Sequence, residues 1–146
     1  MKSILQKEKE CFFTHCRSGL HRHHVFEGAD RELSEKNGLW IYMEGTIHNG
    51  YIRESIHNNA EFNLWMKQYA QRIYERERGS REEFLSLFRQ NYLDEPLEKT
   101  DEEILRPVFD KYVQIKSKGK LKNMKEAAEA YPDMELPRFE DGCFIL

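Results

Sequence analysis

The clearest periodicity in the chain lies between residues 58 and 91. Phe62, Trp65, Met66, Tyr69 and Ile73 recur at three- and four-residue spacing, which lays one apolar stripe along a helix. Asn58 stands where an N-cap is needed, Glu61 can reach back to it, and Gly79 punctuates the end. Ser80-Arg-Glu-Glu83 repeats the capping pattern and opens a second helix that turns Phe84, Leu85, Leu87 and Phe88 inward and ends near Asn91. Together these predict a helical hairpin.

Upstream the apolar runs are short. Leu39-Trp-Ile-Tyr-Met43 follows Gly38 directly and is rich in β-prone residues, so it predicts a strand. His21 to Phe26 predicts another, after the breaker Ser18-Gly19. Cys11-Phe-Phe-Thr-His-Cys16 reads as a strand or knuckle, and Glu27 to Gly38 as a polar loop with one helical turn. Beyond Pro96, Thr100 and Glu103 can form a further capping box. Pro107 should kink or delay any helix over 101–116, because proline removes a backbone bond and clashes with the preceding turn. The run Lys116 to Lys125 is basic and reads as a solvated linker, Ala127 to Tyr131 as a short helix stopped by Pro132, and Gly142-Cys-Phe-Ile-Leu146 as an apolar end that packs back on its own domain. The expected class is α+β, with one domain over 1–93 and a helical extension over 94–146 packed on it.

Of the 146 residues, 39% are hydrophobic and 34% charged, which suits a folded domain with a real core. No apolar run approaches a membrane span, and MKSILQKEKE lacks the apolar stretch of a secretory signal, so the expected compartment is the cytoplasm. An odd count of three cysteines argues against a disulfide framework. The net charge of −3 weighs against a generic nucleic-acid binder, yet residues 1–90 carry fourteen basic against thirteen acidic side chains, so most of the negative charge lies elsewhere.

Histidine changes the picture most. Five of the six lie between His15 and His48, and the sixth is His57. Successive residues on a strand face opposite ways, so His23 and His24 have different jobs unless the strand end re-aims them. Phosphodiester hydrolysis needs a water activated by a base of near-neutral pKa, which imidazole supplies, and a cation on the phosphate oxygens. Imidazole ligands suit Mn, Ni, Zn or Fe(II) better than Mg.

Leu20-His-Arg-His-His24, Phe26-Glu-Gly-Ala-Asp-Arg31, Ser34-Glu-Lys, Gly38-Leu-Trp-Ile-Tyr-Met43, His48-Asn49, Ile56-His-Asn58 and Phe88-Arg-Gln-Asn-Tyr-Leu93 together resemble the small His-Asn-His proteins of phages and prophages of Gram-positive bacteria. The resemblance covers roughly residues 11–93. It implies a ββα-metal motif packed on the helical hairpin, with His24 as general base, His23 and His48 as metal ligands, and Asn37 as the residue that holds the base imidazole. Asn37 is equally a good turn residue before glycine. The resemblance further implies a metal-dependent endonuclease acting on DNA in the bacterial host cell through one divalent ion (Mg, Mn, Ni or Zn). The alternative is a non-catalytic DNA-binding or phage packaging and recombination accessory module that retains the fold.

Relatives carry two Cys-x-x-Cys pairs for a structural zinc. Here the first pair is Cys11-x4-Cys16, and Glu44-Gly-Thr-Ile47 has no cysteine. Cys11 and Cys16 could bind a structural zinc with a histidine, or form a buried thiol pair. His57, nine residues after His48, could return to the site as a metal or phosphate contact if Gly50 breaks the helix, and Asn49 is a further candidate beside it. Arg22, Arg31 and Arg53 are candidate phosphate contacts, while His15 and His21 read as polar turn residues.

Overall fold

The computed structural model describes residues 1–132; Cys143 and the apolar end lie outside them. Strands β1 (Leu20–His24) and β2 (Trp40–Glu44) pair antiparallel, with Leu20 opposite Glu44 and His24 opposite Trp40. Between them run a 3₁₀ turn at Gly28–Asp30 and helix α1 (Arg31–Lys36), more ordered structure than the loop expected there. Tertiary bonds explain the excess. The buried Ser34 hydroxyl accepts from Phe26 N and donates to Phe26 O, both at 2.9 Å, while Ser34 O accepts from Leu39 N at 2.8 Å. Apolar periodicity carries no trace of such bonds.

Helix α2 (Gly45–Asn49) leaves β2 without a break because the Glu44 carboxylate accepts from Thr46 N at 2.9 Å and caps it. It stops at Gly50, where a side chain would collide with the Thr46 carbonyl. A 3₁₀ turn at Ile56–Asn58 then leads into α3 (Ala60–Glu77), α4 (Arg81–Phe88), a turn at Tyr92–Asp94, α5 (Asp101–Lys116) and α6 (Met124–Ala130).

The chain is thus α+β, an antiparallel hairpin followed by helices. The expected capping boxes at Ser80 and Thr100 form. The cap of α3 is Asn59, which accepts from Phe62 N, rather than Asn58, whose amide donates to Gly50 O, Ile52 O and Ser55 Oγ. Pro107 neither delays nor ends α5: it lies on the exposed side, where the carbonyl it leaves without an amide partner faces water.

Residues 11–16 form a tight turn rather than a strand, closed by Cys11 N to Cys16 O at 2.8 Å and passing through His15 at φ 61°. The turn drives Phe13 into the core, against Phe62 at 5.1 Å and Phe109 of α5 at 5.9 Å between ring centroids. Helix α5 buries Ile104, Leu105, Val108, Phe109 and Val113 in that same core, and its Asp101 accepts from Trp65 Nε1 at 2.8 Å. Two buried glutamines of α3 grip the segment after α4. Gln68 donates to Tyr92 O and Glu95 O, while Gln71 accepts from Tyr92 N and donates to Asn91 Oδ1. Among the described residues no helix is long and apolar enough to cross a membrane.

Candidate metal centre

Strand alternation puts His21 and His23 on one face of β1, toward α2. His23 is 1% exposed, and neither ring nitrogen has a hydrogen-bond partner. Two unpartnered nitrogens on a buried imidazole are costly, and a ring so placed could ligate a cation. Helix α2 brings His48 to it, with ring centroids 5.1 Å apart, and the Ile56–Asn58 turn brings His57, at 5.4 Å. Ligating nitrogens of the three lie within 4.8 Å of one another, and this is the cluster of three or more metal-ligating side chains among the described residues.

The hydrogen bonds around the cluster aim it. His48 Nδ1 is 3.0 Å from His21 Nδ1, and His57 Nδ1 is 3.3 Å from Glu27 Oε2, whose other oxygen accepts from Asn63 Nδ2 at 2.8 Å. His48 Nε2 and His57 Nε2 face each other at 3.0 Å. With His21 and Glu27 each taking an Nδ1–H, both Nε2 lone pairs would be open to one cation. Imidazole nitrogens bound tetrahedrally at ~2.0–2.1 Å lie about 3.3 Å apart, so the spacing fits an ion of that kind. Burial, reinforced by His48 and His57, holds the His23 pKa well below the usual imidazole value. Burial together with His57 and His21 lowers that of His48 to about 4. Both rings are therefore neutral at pH 7, the state in which imidazole binds metal.

His24, on the opposite face of β1, makes a different contact. Its Nε2 lies 2.8 Å from Glu35 Oε2, and Arg22 Nη1 donates to the other Glu35 oxygen at 2.6 Å while stacking on Trp40 at 3.7 Å. Slight burial alone would raise the Glu35 pKa, but the His24 hydrogen bond and the Arg22 charge outweigh it and hold the carboxyl below its ordinary range. Because β1 ends at His24 and the chain turns back at Gly28, His24 and the three-histidine cluster line one cavity of about 230 Å³ together with Arg22 and Arg31.

The site residues expected from sequence divide accordingly. His23, His24, His48 and His57 come together, with Arg22 and Arg31 beside them. Asn37 does not hold the His24 ring, which corrects the role expected of it. Its Nδ2 donates to Leu33 O and its Oδ1 accepts from Arg78 Nε, so it ties α1 to the end of α3 while Glu35 takes the imidazole. Asn49 and Arg53 are exposed and do not line the cavity. Cys11 and Cys16 gather no third ligand among the described residues. Cys11 is a buried thiol whose pKa burial pushes up, against hydrogen bonds from Thr14 and Glu44, and Cys16 Sγ bonds Ser18 O at 3.3 Å. Among the described residues the two cysteines therefore stand as thiols apart from the histidine cluster.

Three residues escaped the sequence. His21 joins the histidine face rather than serving as a turn residue, and its spacing of two from His23 is a legible sign of that shared face. Glu27 and Glu35 gave no signal, since they approach the histidines only through the turn and helix between the strands. Comparison with family models, curated proteins and solved structures matches none of them.

Proposed function

We propose that the chain is a divalent-metal-dependent endonuclease of the ββα-metal, His-Asn-His kind that hydrolyses DNA phosphodiester bonds with a single ion. The observation that carries this is the buried His23 ring, unpartnered at both nitrogens, meeting His48 and His57 in a cavity that also holds a His–carboxylate pair. His23, His48 and His57 would hold the ion, which when bound supplies Lewis acidity at the phosphoryl oxygen and the leaving O3′. Three imidazoles favour Mn, Ni or Zn over Mg.

The remaining chemistry belongs to side chains. His24 donates its Nε2–H to Glu35 and keeps the Nδ1 lone pair to take a proton from the attacking water. Glu35, held ionised, fixes that tautomer and steadies the imidazolium as it forms. Arg31 and Arg22 stand in the cavity wall where they could meet the oxygens of a phosphodiester. Arg22 is kept in position by Glu35 and the Trp40 ring. The test is plasmid nicking by the purified chain with Mg, Mn, Ni or Zn beside His24→Ala. The expected result is nicking by the first and loss of at least about 100-fold in the second. Equal rates in both would remove His24 from the mechanism, and DNA binding without nicking in any metal would favour the non-catalytic DNA-binding alternative.

A further inference from the structure

A second cleft, of about 520 Å³, opens on the other side of His57. One wall is the first half of α3, with Asn63 and Lys67 a turn apart. The other is the segment after α4, with Gln90, Tyr92 and Glu95, fixed in place by Gln68 and Gln71. Because His57 belongs both to this cleft and to the metal cluster, the two spaces are neighbours that share one side chain.

Lys67 is the cation of this cleft. It has no ion pair among the described residues, its ammonium rests 5.5 Å over the Tyr92 ring, and its charge is near enough to act on His23. A half-buried ammonium without a carboxylate partner, beside a site for one phosphodiester, is suited to the next phosphate along a strand. The rest of the wall is mostly neutral and polar. Asn63 gives its amide nitrogen to Glu27 and leaves its carbonyl oxygen over, and Gln90 gives its nitrogen to the Glu95 carboxylate. Such groups accept hydrogen bonds from a base or sugar without competing for the phosphate. A cleft of this volume takes one nucleotide and excludes a duplex.

We propose that this cleft binds the unpaired nucleotide adjoining the scissile phosphate of a DNA strand, with Lys67 on its phosphate. The inference rests on the endonuclease function proposed above and narrows the substrate to DNA with a locally single-stranded segment.

The test measures fluorescence anisotropy of a labelled single-stranded oligodeoxynucleotide, and of the duplex of the same sequence, with the full chain in EDTA across a salt series. Lys67→Gln, a helix-tolerated change, should weaken single-strand binding about tenfold at low salt and make the slope of log K against log salt shallower by about 0.7, the value of one lost phosphate contact on a single strand. Ala60→Trp, at the exposed lining of the cleft, should weaken it similarly by filling the space. Both variants should keep the wild-type melting curve, and neither should weaken zinc binding. Unchanged affinity and slope in Lys67→Gln, or duplex bound better than single strand, would overturn the cleft assignment while nicking by the wild type left the nuclease intact. A wild type that neither binds nor nicks any DNA would overturn both.

Discussion

At the scale of single residues, the site depends on side chains that aim other side chains. Glu27 touches no ring nitrogen that points into the cluster, yet it holds His57 Nδ1 and is itself held by Asn63. Removing such an outer carboxylate typically costs a metal site 10–100-fold in affinity. Glu27→Ala should therefore weaken zinc binding by about that factor in calorimetry while the melting temperature in EDTA barely moves. Glu35 acts on the other imidazole. Glu35→Gln should leave zinc affinity unchanged but slow nicking by about tenfold or more and displace its pH profile, because the charge that stabilises the His24 imidazolium is gone. A loss of zinc affinity in Glu35→Gln would instead mean that the dyad supports the cluster structurally.

At the scale of elements, α2 is five residues long and cannot hold itself together. Its N-cap is Glu44, 6% exposed, which also receives Lys116 Nζ of α5 at 2.7 Å. Glu44→Ala removes the cap and leaves Lys116 without its partner. Urea unfolding should show a loss of about 1–2 kcal/mol, together with weaker metal binding because α2 carries His48. Tyr112, on the same α5, bonds Thr14 of the 11–16 turn, and burial raises its phenol to about 12. Between the unfolded value near 10 and that point, the unfolded chain releases a proton that the folded one keeps, so stability falls as pH rises through this window. Tyr112→Phe should lose less stability than the wild type between pH 10 and 12, and equal losses would count against the burial. Pro107 and the two neighbouring asparagines teach the complementary lesson. Local rules named the right region, but solvent exposure decided that proline could stay, and bonds to Gly50, Ile52 and Ser55 decided which asparagine became the cap.

At the scale of the molecule, α5 is a wall of the core that supports the site. Phe109 meets Phe13, Asp101 meets Trp65, and Lys116 reaches the cap of α2. A chain cut after residue 93 exposes Phe13, Phe62 and Trp65, a patch too apolar to leave in water. It should fail to give a cooperative melt by circular dichroism and should bind no zinc. A folded, zinc-binding 1–93 fragment would show that α5 is dispensable.

The sequence by itself determined the alternation of short strands and capped helices and the concentration of histidine near one strand end, because periodicity, capping and composition are local properties. Only the tertiary structure decided that His57 stands with His23 and His48, that Glu35 rather than Asn37 takes the His24 ring, and that Cys11 and Cys16 lie outside the histidine cluster. Those outcomes turn on strand register, on the Gly50 break and on the turn and helix between the strands, which bring residues far apart in the chain within hydrogen-bonding distance. No spacing rule along one dimension contains that information.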